Sequence, residues 1–360
     1  MEEHVYKDYK EYSVTQIIRD YKSMFFFFKD CLDNDRCYNV LTGVIPFACM
    51  LVMGGYEYLL KENLISENEI DNSDLQVITT IRAKGLKLYV GFKDKTYKSI
   101  ESFLKNEKEK FLKMANQNIK RDLLEGFVNY YFVAFVNKKA IGNYHLYSKK
   151  KLNTEIGIYK KEPEVKRTVC AISRFISQIL VAAGIDILKE AKANGVSIEI
   201  SNKDLNLERD IRFFKIKDTC VLIAFLDILC ELNYYIEIFN KINQGVYLDF
   251  KFKFSTLFYS ITSFNHILIY CKEKGIVLEI EKEFVAKMNR LEKQICKNQL
   301  RTHCLHYDYS GLDFKTIEEA FERHFNDTLD NIDDYFTELI KELSVALENI
   351  IFNKSFDMIM

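Results

Sequence analysis

The sequence predicts an all-α protein, a multi-helix bundle of about ten helices with at most one short hairpin near residues 76–92. Apolar residues recur at steps of three and four along most of the chain, the spacing that lays one apolar stripe on an α-helix. Hydrophobic residues make up 48% of the 360 residues and charged residues 29%, which is typical of a globular protein and excludes a disordered one.

Residues 1–61 are predicted to form N-terminal helices, the first of which starts near Ser13. Cys37 to Tyr56 contains no charged residue, and at about 1.5 Å per residue a helix of that length could cross the hydrocarbon layer of a bilayer. Pro46 and the Gly54-Gly55 pair, with no lysine or arginine excess on one flank, argue against a membrane span. We therefore expect a kinked, buried helix and no membrane contact.

Two further segments precede the C-terminal domain. Residues 62–96 have the weakest helical pattern, which predicts a linker or small excursion, with room for at most one short hairpin. Residues 97–195 are predicted as a helical middle region with a basic loop over residues 138–167. The last helix of this region follows Pro163, and Gly195 would end it.

The basic loop interleaves lysines with aromatic side chains. This pattern can follow a phosphate backbone and stack bases, and it is equally typical of a solvated loop in a lysine-rich protein. A formal net charge of −1 adds no global attraction to nucleic acid, so both interpretations stay open. The candidate RNA-contacting residues are Lys138, Lys139, Lys149, Lys150, Lys151, Lys160 and Lys161.

The cysteines and the N-terminus indicate a cytoplasmic protein. Nine cysteines form no C-x-x-C pair, and most lie among apolar helical residues, which is typical of reduced core thiols. The N-terminus lacks the basic-then-apolar order of a signal peptide. Composition rich in Lys, Ile, Asn and Phe suggests a bacterial source. His303, Cys304, His306 and His324 could be zinc ligands, but no zinc motif supports them, so we expect no metal and no cofactor.

Residues 196–360 are predicted as a C-terminal helical domain, and one segment in it is suited to chemistry. Arg301 and His306 enclose four residues between two helical stretches. An always-charged guanidinium and a titratable imidazole in one cleft would suit phosphate chemistry. On an ideal helix five residues turn a side chain by about 140°, so the two share a face only if the helix starts inside the segment or Arg301 curls back.

The segment Leu-Arg-Thr-His-Cys-Leu-His-Tyr lies ahead of a long amphipathic helix that a capping box at Thr316 and Glu319 begins and that runs for about nine turns. This arrangement resembles the HEPN family, whose signature is an arginine followed after four to six residues by a histidine. The resemblance covers about residues 275–351. It implies a metal-independent endoribonuclease, with a role in phage defence or a toxin system.

By position in that resemblance, Arg301 would hold the scissile phosphate. His306 would act as general acid or base on the 2′-hydroxyl or the leaving oxygen. Thr302, His303 and Tyr307 would be auxiliary residues. The family favours a polar residue such as asparagine after the arginine, and Thr302 is polar but a weaker match. The resemblance also implies RNA as a partner and a homodimer that uses residues 301–325, while no protein partner can be named.

A structural role would explain the same residues. Arg301 could cap the last carbonyls of a helix, and His306 could be hydrogen-bonded within a helix junction. The chain would then be a non-catalytic, all-helical module that binds nucleic acid or protein.

Overall fold

The computed structural model describes residues 8–32, 43–67, 70–90, 105, 130–136, 139–142, 164–185, 201–206, 211–242, 245–309 and 316–353. The described residues form ten α-helices and one small sheet, and helix dominates throughout. The predicted all-α, multi-helix class with about ten helices is therefore confirmed.

Three N-terminal helices form one side of the core: α1 (Tyr9–Leu32), α2 (Ile45–Lys61) and α3 (Asn72–Val90). Pro46 lies in the first turn of α2, where the missing N–H removes no helical hydrogen bond. Every residue of α2 from Ile45 to Leu59 is buried except Glu57. The described part of the uncharged stretch is thus core helix, as expected, and residues 37–42 lie outside the described residues.

The short hairpin allowed for near residues 76–92 does not form, because residues 72–90 form α3. Asp71 begins this helix by accepting a hydrogen bond from the Ser73 amide at 2.8 Å. Asp74, almost fully buried, pairs with both nitrogens of Arg174 at 2.6 and 2.9 Å and so fixes α3 to the next helix. Val77 and Ile78 of α3 are buried in the core, so residues 72–90 of the predicted linker 62–96 form a helix that packs against its neighbours.

Strands occur instead in the region predicted to be helical. β1 (Tyr130–Val136) pairs antiparallel with β2 (Lys139–Gly142) and with β3 (Ser201–Asn206), in the order β2-β1-β3. The aromatic run of β1 suits a strand as well as a helix, and its partner β3 lies about 70 residues later in the chain, where local pattern cannot reveal it. Helix α4 (Glu164–Ala182) follows and ends at Gly184 (φ 76°), rather than at the predicted Gly195.

The C-terminal half contains six helices around one central element. They are α5 (Thr219–Tyr234), α6 (Val246–Lys274), α7 (Lys282–Ile295), α8 (Asn298–His306), α9 (Ile317–Phe325) and α10 (Leu329–Ile351). Helix α6 is the central element: it contacts α1, α5, α7, α8 and α10, and its buried residues include Phe254 and Leu257. Helix α5 continues through a π-helical turn (Tyr235–Phe239) and a last turn (Asn240–Ile242).

The long final helix expected from the sequence is two helices. Thr316 caps the first, as predicted, by accepting from the Glu319 amide at 3.1 Å. Asn326 then adopts a left-handed conformation (φ 55°) that ends α9, and Thr328 caps α10. The apolar stripe continues across this break, so periodicity alone predicts one helix.

One hydrophobic core joins buried residues from all four predicted segments, from Tyr12 to Ile351. The eight described cysteines are free thiols, as expected. Within the described part of the chain, one segment, Thr219–Ile242, is long and apolar enough to cross a membrane, and 72% of its apolar window is buried inside the protein.

Candidate functional site

Helix α8, which carries Arg301 and His306, is held against α2 by a very close backbone contact. A Cβ atom at position 54 would lie 1.7 Å from the carbonyl oxygen of Leu305. Only glycine leaves room for this approach. The Gly54-Gly55 pair, which counted in the sequence against a membrane span, therefore allows α8 to dock on α2.

Arg301 lies on the side of α8 that faces α6. Its guanidinium carbon is 5.6 Å from the centroid of the Phe258 ring, a cation–π contact. The side chain is half-buried, and among the described residues no carboxylate pairs with it and no group accepts a hydrogen bond from it. Its N–H groups are therefore available to an anionic ligand.

His306 is the last residue of α8 and is half-buried. Burial lowers the pKa of its imidazole, the positive charges of Arg82 and Arg301 lower it further, and the charge of Glu57 opposes them. No described group forms a hydrogen bond with the ring. The lowered pKa favours the neutral form of this imidazole, which has a nitrogen lone pair that can accept a proton.

Arg82 and Glu57 are site residues that the sequence did not single out. They join α3 to α2 through a two-pronged ion pair, in which Arg82 Nη2 donates to Glu57 Oε2 at 3.1 Å and Nη1 donates to Oε1. The charge of Arg82 affects the pKa of His306 more than that of Arg301 does. One signal was available: Glu57 is the first charged residue after the uncharged stretch that ends at Tyr56.

Arg301 and His306 do not share one face of α8. The exposed face of α8 is centred on Thr302, and His306 lies about 40° from it around the helix, at this face. Arg301 lies about 100° from Thr302, beyond the buried Leu305. The Thr302 hydroxyl donates to the Asn298 carbonyl at 2.9 Å, within its own helix. The helix covers the whole motif, so Arg301 neither precedes it nor curls back from its end.

His303 and Tyr307, the other auxiliary residues, lie inside the protein. His303 is 3% exposed, its ring stacks on Tyr309 with centroids 6.2 Å apart, and burial lowers its pKa. The Tyr307 hydroxyl donates to Asp20 Oδ2 at 2.5 Å. Neither side chain lines the exposed face of α8, so neither can touch a ligand bound there.

Of the predicted RNA-contacting lysines, the structure describes only Lys139. Its ammonium pairs with both carboxylate oxygens of Glu348 at 2.6 and 2.8 Å, linking β2 to α10. The remaining candidates lie outside the described residues: Lys138, Lys149, Lys150, Lys151, Lys160 and Lys161.

The residues considered as zinc ligands are separated by the fold. His324, on α9, has its Nε2 atom 2.7 Å from the Gln294 carbonyl oxygen, and Cys304 is fully buried. In the described part of the chain, no three His, Cys, Asp or Glu side chains are grouped so that they could hold a metal ion.

No protein-family model, no curated protein and no solved structure matches the chain. The functional assignment therefore depends on the residues and geometry of α8 and its neighbours.

Proposed function

We propose that the chain is a metal-independent, HEPN-like endoribonuclease in which His306 transfers a proton and Arg301 binds the scissile phosphate. One observation carries the proposal. A structural role predicts Arg301 bound to helix carbonyls and His306 hydrogen-bonded in a junction, and among the described residues neither contact occurs. Both side chains are half-buried instead, with His306 at the exposed face of α8 and Arg301 about 100° from the centre of that face.

The proposed reaction uses the neutral imidazole as the base. His306 takes the proton of the 2′-hydroxyl, the 2′-oxygen attacks phosphorus, and the bond to the 5′-oxygen breaks as that oxygen gains a proton from an imidazolium or water. Arg301 donates hydrogen bonds to the non-bridging oxygens, where charge accumulates. The products are a 2′,3′-cyclic phosphate and a 5′-hydroxyl, and no cofactor takes part.

The proposed active form is a homodimer, because Arg301 and His306 of one chain diverge by about 140° around α8 and do not face one cleft. A two-fold axis beside the exposed face would place Arg301 of one protomer near His306 of its partner, as the resemblance implies. A cytoplasmic location in a bacterial cell, in phage defence or a toxin system, completes the proposed setting.

The chemistry of the RNA ends tests this function. We expect purified protein to cut single-stranded RNA in EDTA, and mass spectrometry to find 2′,3′-cyclic phosphate and 5′-hydroxyl ends. Products with 3′-hydroxyl ends, or cleavage that EDTA abolishes, would contradict the mechanism. RNA binding without cleavage would show a non-catalytic RNA-binding module.

A further inference from the structure

A buried ionic cluster lies directly behind the candidate site. Asp20 of α1 and Lys251 of α6 form an ion pair and are 1% and 0% exposed. The Tyr307 hydroxyl donates to the same Asp20 oxygen at 2.5 Å, and the Lys251 ammonium lies 4.3 Å from the centroid of the Tyr307 ring. Burial and the Asp20 charge raise the pKa of Tyr307 well above its ordinary value, so its hydroxyl stays a donor.

Tyr307 is the residue after His306, and its backbone is unusual. Its φ of 56° lies in the left-handed region, which is unfavourable for a residue with a bulky side chain. Such a conformation persists only where the surroundings hold it. The hydrogen bond to Asp20 and the contact with Lys251 hold the side chain, and they thereby fix the backbone at the point where α8 ends.

The other neighbours of His306 are anchored in the same way. The Leu305 carbonyl is pressed against Gly54, and the Tyr309 hydroxyl donates to the His303 carbonyl at 2.9 Å. The imidazole of His306 makes no hydrogen bond to a described residue. The position of its imidazole is therefore determined by the residues on either side of it.

We propose that Tyr307 is a positioning residue for His306, anchored by the buried Asp20–Lys251 pair. Such a pair contributes little net stability, because desolvation of two charges offsets their attraction. Its physical use here is to hold the end of α8 in one conformation. The effect on cleavage rests on the proposed ribonuclease function, while the effect on the imidazole does not.

The test compares Tyr307→Phe with Tyr12→Phe. Tyr12 is also a buried tyrosine whose hydroxyl donates to a carboxylate oxygen, Glu318 Oε2 at 2.7 Å. This hydrogen bond joins Tyr12 to α9 and not to the end of α8, so Tyr12 is the control. Histidine titration by NMR measures the pKa of the His306 imidazole directly, and the His306 signal is assigned by its absence from the spectrum of His306→Gln. In Tyr307→Phe we expect the pKa of His306 to rise toward its ordinary value as the ring gains solvent, still facing Arg82, Glu57 and Arg301. In Tyr12→Phe we expect no change.

The cleavage assay provides the second readout. We expect kcat of Tyr307→Phe to fall by roughly tenfold or more with KM nearly unchanged, because misplacement of a reacting group slows the chemical step. A wild-type protein that cuts no RNA would refute the proposed ribonuclease function. The titration would then decide by itself whether Tyr307 positions His306. A folded Tyr307→Phe variant with the wild-type His306 titration would overturn that role.

A double variant, Asp20→Asn with Lys251→Met, tests the anchor independently. Removing both charges together avoids leaving one of them buried and unpaired. We expect the same upward change in the pKa of His306, because the neutral amide holds the Tyr307 hydroxyl more weakly. A wild-type titration in this folded variant would show that the ion pair does not anchor Tyr307.

Discussion

Burial and neighbouring charges lower the pKa of His306, and among those charges Arg82 has the largest effect. We predict that Arg82→Met raises the pKa of His306, because it removes a positive charge and releases Glu57 from its ion pair. Histidine NMR titration measures this change. The matched control is Arg174→Met, which breaks a similar two-pronged ion pair with Asp74. Equal titration curves for the two variants would contradict the proposed site electrostatics.

The two histidines of α8 with lowered pKa values link stability to pH. Burial lowers the pKa of His303 and His306 below the ordinary value of 6.5, so the unfolded chain binds protons first as pH falls. Their contribution to the free energy of unfolding is complete above about pH 6.5, and it is lost as the pH falls toward the pKa values of the folded protein. Urea unfolding between pH 7.5 and 5.5 should show that the free energy of unfolding falls more steeply with decreasing pH in wild type than in His306→Gln. The same pH dependence in both proteins would mean that His306 is not shielded from water.

At the scale of elements, the docking of α8 on α2 depends on Gly54. Alanine usually stabilises a helix interior relative to glycine by about 0.5–1 kcal/mol. We predict the opposite here, a loss of about 1–3 kcal/mol in the free energy of unfolding, because the added methyl group would overlap the Leu305 carbonyl oxygen. Urea denaturation of Gly54→Ala measures the difference. A more stable variant would contradict the close contact.

The sequence was most informative about elements with a local signature. The all-α class and the cap at Thr316 were predicted correctly, because periodicity and capping are local properties. The start of α1 was placed too late, since the Asp8 carboxylate accepts from the Glu11 amide at 2.8 Å. The sheet and the break at Asn326 were missed, because an antiparallel partner far along the chain and a left-handed residue leave the apolar pattern unchanged.

At the scale of the whole molecule, the site could be predicted only in part. Arg301 and His306 were singled out as candidates because they are close in sequence. Arg82 and Glu57 come from helices more than 200 residues earlier, and they lie near His306 because α8 packs on α2 and α2 packs on α3. The burial of Tyr307 could not be predicted either. Its partners Asp20 and Lys251 are charged, and charged residues are normally expected on the surface.

The quaternary structure gives a prediction at the same scale. We expect a homodimer by analytical sedimentation at micromolar concentration, with the exposed face of α8 in the contact. Thr302→Glu, at the centre of that face, should favour the monomer because it buries an unpaired charge in the interface. Val345→Glu, on an exposed position of α10, is the control and should stay dimeric. A monomeric wild type would remove the basis for a shared site.

The rate at which His306→Ala cuts single-stranded RNA in EDTA tests the central claim most directly. Loss of a proton-transferring group should lower the rate by roughly 10²-fold or more, with the melting temperature close to that of wild type. His324→Ala, which removes an exposed histidine on α9, should cut at the wild-type rate. Cleavage by His306→Ala at the wild-type rate would contradict the assignment. So would a wild type without activity whose His306→Ala variant melts lower, because that histidine would then be structural.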